Sequence, residues 1–216
     1  MLQVFQFLND LKNNNNREWM QAHRQLYQEC KGEVTELIQK LINEISQFDS
    51  SILGLQPKDC MFRINRDIRF SHNKEPYKSN FGAAITAGGR KTGNPSYYLH
   101  IAPQKSFFAG GMYMPSADSL KKIRQEIDYN ASELKAIIWG DNFHETFGDI
   151  RGQALKTCPK GYHSDHPDIK LLRLKSFLVK KDLTDRAFHS PNYFSRLLSL
   201  SEMIYPFKKY LEVAIS

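Results

Sequence analysis

The chain has 216 residues, 41% of them hydrophobic and 25% charged, enough apolar material for one sizeable core, and no obvious linker divides it. Lys plus Arg exceed Asp plus Glu by 30 − 23 = 7, so the surface field attracts anions, phosphorylated metabolites and nucleic acid among them. Cys30, Cys60 and Cys158 are odd in number, far apart and in no CxxC spacing, which excludes a disulfide framework or zinc cage and fits a reducing compartment.

The opening MLQVFQFLNDLKNNNN lacks a basic n-region and meets Asp10 and Lys12 before a long apolar run builds. Neither a secretory signal nor a membrane span is expected, and the expected location is the cytoplasm. Val4, Phe5, Phe7, Leu8 and Leu11 predict a short helix, and Asn13–Asn16 suits both its end and the cap of the next. A second helix is predicted from about Arg17 to Gln47, with Gly32 as the expected kink and an apolar stripe that needs a sheet to pack on. From Asp59 to about Met114 the apolar period changes to two. MFRINRDIRF predicts a strand with Phe62, Ile64, Arg66, Ile68 and Phe70 on one face and Arg63, Asn65, Asp67 and Arg69 on the other. FGAAITAG, YYLHIAP and SFFAGGMYM are three further strands of an antiparallel meander, joined through GGRKTGNPS and Pro103–Lys105. Ser116 or Asp118 caps a helix to about Asn130, a second covers Ser132–Ile138, and Asn142–Phe147 forms a turn. LLRLKSFLVKKDL reads as another strand and Pro191–Val213 as a last helix. Helices, then strands, then helices give an α+β fold: a single domain of mostly antiparallel sheet with helices on one face and the other face open.

Four stretches, in order, carry a resemblance: FLNDLKNNNNREWMQAHRQLY; FRINRDIRFSHNKEPYKSNFGA; YYLHIAP with FFAGGMYMP; and LKTCPKGYHSDHPDIKLLRLKSF. Together they resemble the DUF2461 family of conserved proteins from about Phe5 to Val213, most specifically through R-I-x-R-D-x-R-F-x-x-x-K-x-P-Y-K. The resemblance implies no catalytic residues. It does imply that the basic segments belong to the domain's own design, and it sets His163 apart as a departure from the family's Asp-His-Pro.

Phe62–Asn80 is the most basic stretch, with Arg63, Arg66, Arg69, Lys74 and Lys78 against Asp67 and Glu75. On a strand, Arg63, Asn65, Asp67 and Arg69 would line one face at intervals of about 6.5 Å. Guanidinium forks in such a row suit phosphate or carboxylate, and Asp67 would orient them or act as a general base. A solvated ladder of ion pairs is the competing reading. Arg66, on the apolar side, needs a carboxylate or several carbonyls if buried. Lys74, Tyr77 and Lys78 would close over a ligand, or Pro76 and Tyr77 simply anchor a loop. Lys160, Arg173 and Lys175 form a second cluster that merges with the first only if the two strands are neighbours; charge protecting an edge strand is the alternative.

GGMYMP combines close-approach glycines with a helix start, a pattern shared by anion sites and by simple packing bulges. HSDHPD offers metal-ligand types in no known spacing and reads as a turn capped by Asp165, so no metal site is assigned. His100 is the candidate acid or base on the sheet, against a histidine satisfied by a neighbour, and Cys60 is expected to be buried and inert. Three functions follow. The first is a basic pocket for a phosphate- or carboxylate-bearing small molecule, with catalysis by Asp67 or His100. The second is a nucleic-acid module in which Tyr97, Tyr98, Phe107 and Phe108 stack bases, although no RNA- or DNA-binding signature is present. The third is a protein-interaction scaffold with structural arginines. The residues name no cofactor, reaction or oligomeric state.

Overall fold

The computed structural model describes residues 1–216. The period-two segments build a four-stranded antiparallel sheet, β1 (Phe81–Ile85), β2 (Ser96–Ile101), β3 (Ser106–Met112) and β4 (Phe177–Leu183), in the order β1-β2-β3-β4. Side chains alternate across it. Phe81, Ala83, Ile85, Tyr97, Leu99, Ile101, Phe108, Met112, Phe177 and Val179 face the core and are all but inaccessible to water. The register places Gly82, His100, Phe107 and Asp182 in one row of the opposite face, and Ala84, Tyr98, Ala109 and Lys180 in the next.

Eight helices accompany the sheet: α1 (Leu2–Asn13), α2 (Arg17–Ala22), α3 (Arg24–Ile45), α4 (Pro57–Cys60), α5 (Ala117–Ile138), α6 (Asp141–Phe147), α7 (Ile169–Leu172) and α8 (Tyr193–Ile215). α8 crosses the apolar face over β2 and β3, α5 packs outside α8, and α3 lies between α1, α8 and β1. Gly110 sets that approach, because a Cβ there would overlap Ile204 of α8. One contiguous cluster of 44 buried residues joins these layers, the predicted α+β domain with helices on one face. No helix is long and apolar enough to cross a membrane.

The asparagine run punctuates the chain as expected. Asn14 ends α1, and the Asn16 side chain accepts the Trp19 N–H at 2.8 Å to start α2. The next helix breaks at His23, not Gly32: His23 leaves helical geometry (φ −106°, ψ 22°), places its Nδ1 2.8 Å from the Trp19 carbonyl and stacks on the Trp19 ring. Gly32 sits inside α3 with open space around it, so nothing there bends the helix. The predicted boundary near Asn130 survives as a kink within α5 (φ −128°, ψ 34°), and the predicted turn at Asn142–Phe147 lies in α6.

Two predicted strands are corrected. Met61–Phe70 pairs with the sheet only through an isolated bridge between Met61 and Ala83, then peels away as an irregular arm that returns through an Asn65–Tyr77 bridge. Alternation marks any extended chain, whereas a strand also needs a neighbour for its N–H and C=O groups. Here the Arg66 N–H goes to the Pro76 carbonyl and the Lys78 N–H to Ile64, so the segment pairs with itself. Of its supposed apolar face only Ile64 is buried; Phe70 is 94% exposed. LLRLKSF likewise begins as the single turn of α7, and regular pairing starts only at Phe177.

Candidate functional site

The arm is pinned from outside by the Asn15 amide, which accepts the Tyr77 N–H at 3.1 Å and donates to the Tyr77 carbonyl at 3.0 Å, as a neighbouring strand would. Its cations mostly serve the arm itself. Lys78 donates to the Arg63 carbonyl at 3.1 Å and Lys74 to the Ile68 carbonyl at 3.1 Å. Half-buried Arg66 finds both things its position demands, the Glu75 carbonyl at 3.3 Å and the Glu75 carboxylate at 3.5 Å. Arg69 grips Asp67 with two parallel bonds of 3.0 and 2.7 Å. That fork holds the Asp67 carboxyl below the usual range in open water, the reverse of what a general base near neutrality needs. Arg63 alone is exposed with no side-chain partner.

Where the arm leaves the sheet, Phe62 bonds its N–H to the Gly82 carbonyl and sets its ring against Tyr98, with the Lys78 ammonium 5.7 Å from that ring. Gly82 leaves room for the Tyr98 hydroxyl, which a Cβ there would push aside. From there a continuous row crosses the uncovered face. Tyr98 Oη and His100 Nδ1 lie 3.2 Å apart, His100 stacks on Phe107 at 4.7 Å with 12° between planes, and the Lys180 ammonium sits 4.7 Å from the Phe107 centroid. Flat rings lying side by side cannot bring centroids that close, so His100 and Phe107 stand upright and offer their edges to water. Burial, then the Lys180 charge, lowers the His100 pKa and keeps the ring neutral near pH 7. Its Nε2 has no protein partner, and Asp182, the carboxylate of this row, is paired to Lys180 at 2.7 Å.

The predicted residues therefore divide. His100 lies on the open face, and Lys78, with Arg63 near it, meets the edge of that face through the Phe62 ring; Arg66, Arg69, Lys74 and Tyr77 stay in the arm. Lys160, Arg173 and Lys175 fall beyond the opposite edge, past β4, three strand spacings or about 14 Å from β1, and the two basic clusters do not merge. Arg173 places a guanidinium nitrogen 3.3 Å from the Cys158 sulfur, and its Nε has no partner. The GGMYMP glycines are packing contacts against Ile204 and the Phe177 carbonyl, and Ser116 caps the helix start behind them. In HSDHPD the cap is His166, not Asp165: Nδ1 accepts the Asp168 N–H at 3.0 Å, so the proton sits on Nε2 and is donated to Asp128 at 2.9 Å. Asp168 pairs with Lys135. Cys60 is buried and its thiol is pushed up to about 11 by burial, inert as expected.

Lys180 is the residue of this row that the sequence does not single out. VKKDL shows it as one lysine of a charged pair, and only strand register separates it from Lys181 on the other face. Phe62 was legible as apolar but not as the hinge between arm and sheet.

No curated protein and no solved structure matches the chain. A family model described as a conserved hypothetical protein matches residues 3–210 and takes in the arm, the open face and the His166 turn together. With nearly its whole length matched, the chain belongs to the DUF2461 family.

Proposed function

We infer that the open sheet face binds an anionic small molecule carrying phosphate or carboxylate, with His100 positioned to exchange a proton with it. The observation behind this is the row Lys78–Phe62–Tyr98–His100–Phe107–Lys180, which has a cation at each end and, within it, a neutral imidazole whose Nε2 is unpartnered. Anion charge lies between the lysines and the imidazole edge donates or accepts at its centre. Nucleic acid is the weaker reading. Two of the four aromatics proposed to stack bases, Tyr97 and Phe108, are wholly buried, and the faces of the Phe107 ring are taken by His100 and Lys180.

Screening phosphorylated and carboxylated metabolites by ligand-induced melting shift tests the inference. A stabilising ligand is expected, with its shift abolished by Lys180→Ala. Binding should strengthen as pH falls through the lowered His100 pKa, where the ring gains its charge, and His100→Gln should flatten that dependence. Failure of every ligand, or a shift untouched by Lys180→Ala, would overturn it.

A further inference from the structure

A second polar recess lies at the other end of β1, where the β1–β2 loop folds over α4. It measures about 330 Å³ and is lined solely by Lys58, Asp59, Gly88, Gly89, Arg90 and Lys91. Six polar or glycine residues and no apolar one make this a poor packing void and a suitable place for a solvated charge. Its three cations make no salt bridge, and its one carboxylate, Asp59, is occupied in capping the Gln56 N–H.

The loop is built before any ligand arrives. The Thr92 hydroxyl lies within hydrogen-bond reach of both the Ala87 and Gly89 carbonyls, at 3.1 and 3.0 Å, with one proton to share between them; Asn94 donates to Ala87, and the Gly89 and Thr92 N–H groups close successive turns. The Arg90 N–H and guanidinium bond the Asp59 and Lys58 carbonyls at 3.0 and 2.7 Å, fixing the loop to α4 and aligning the guanidinium. Gly89 has φ +86° and would bring a Cβ within 3.1 Å of the Asp59 carbonyl, so this approach is open only to glycine. The Gly88 and Lys91 N–H groups have no protein acceptor. A rigid glycine loop with unused backbone donors and three unpaired cations is the donor set a phosphate group takes.

We propose that this recess is a phosphate-binding site, distinct from the open sheet face, holding an inorganic phosphate or pyrophosphate group or the phosphate end of a metabolite between Lys58, Arg90 and Lys91. Because Lys58 and Lys91 are exposed, replacing them leaves the fold intact. Pyrophosphate titrated into the full chain at constant ionic strength, followed by amide chemical shifts and calorimetry, tests the site. Saturable shifts of the Gly88, Gly89 and Lys91 amides are expected, with affinity in K58A/K91A weakened by about tenfold or more, the equivalent of ~1.4 kcal/mol. Still amides in that loop, or equal affinity in the variant, would overturn the proposal. Shifts confined to Tyr98–His100 and Lys180 would overturn it too, and would assign the anion to the open face instead.

Discussion

Two groups of charges in this molecule use the same chemistry to opposite effect. In the arm, the Asp67–Arg69 fork is 47% and 75% exposed. Beneath the sheet, wholly buried Lys208 on α8 donates to Asp49 at 2.8 Å, Glu212 at 2.5 Å and Ser51 at 3.0 Å, which uses all three ammonium protons. Asp49 in turn accepts the Tyr97 hydroxyl at 3.0 Å and both the N–H and hydroxyl of Ser51. Burial alone would raise the Asp49 pKa, but the bonds from Lys208 and Ser51 outweigh it and hold it below 3.8. Burial, with Asp49 beside it, pushes the Tyr97 hydroxyl far up. An ion pair in water exchanges one solvation for another, whereas a buried set constrains three distant segments and cannot lose a member without leaving a charge unsolvated.

The largest expected effect follows from breaking the buried set. Lys208→Met should destabilise the protein by about 3–5 kcal/mol in urea unfolding, because Asp49 is then buried and unpaired. Asp49→Asn added to it should restore part of the loss, so the two changes should not add. A Lys208→Met cost below ~1 kcal/mol would show that water reaches the site and that the contrast with the arm is false. The pH dependence has a definite sign. The folded-state pKa of Asp49 is lowered, so its contribution is present above 3.8 and is lost as pH falls through the folded value. Asp49→Asn should remove that part of the acid limb.

An intermediate effect is expected at Asn15, which holds the arm from a distance of 62 residues along the chain. Asn15→Ala removes both bonds to Tyr77 and should cost about 1–2 kcal/mol. Asn15→Asp keeps the acceptor for the Tyr77 N–H but sets a carboxylate oxygen against the Tyr77 carbonyl, so it should cost at least as much. Hydrogen exchange at the Tyr77 amide separates a local effect from a global one: faster exchange there, with the β2 and β3 amides unchanged, is the expected outcome. Unchanged Tyr77 exchange in Asn15→Ala would show that the arm holds itself.

The same regions also mark how far the sequence could be read. The helices, the meander and the open face follow from period and punctuation, since each is a local pattern that burial enforces. The arm was misread because its period of two matches a strand, while the missing neighbour is a property of the fold. Its purpose is not legible there, because lysines and arginines that reach carbonyls look the same in sequence as those awaiting a ligand. The Lys208 set was invisible: a lysine in FKKYLE and an aspartate in FDSS acquire meaning only when α8 crosses β2. His100 was legible as a candidate, but its neutrality depends on burial and on Lys180 in another strand. Asn15 stood inside a run that reads as helix punctuation, and its neighbours do serve that purpose, so nothing local singled it out.

The smallest expected effect is at the arm's tip, and it carries the most weight for function. Arg69→Ala breaks a well-formed fork, yet both partners are open to water and screened by salt. No measurable change in unfolding free energy is expected, at low or moderate ionic strength. The Asp67 carboxyl should return toward its ordinary pKa once Arg69 is gone, observable by carboxyl NMR titration, which confirms that the fork existed in solution. If Arg69→Ala also leaves the ligand-induced melting shift intact while Lys180→Ala removes it, the basic arm is a self-bracing structure and the binding charge belongs to the sheet. Loss of that shift with Arg69→Ala would return the site to the arm, because an exposed pair that contributes nothing to stability has no other reason to matter.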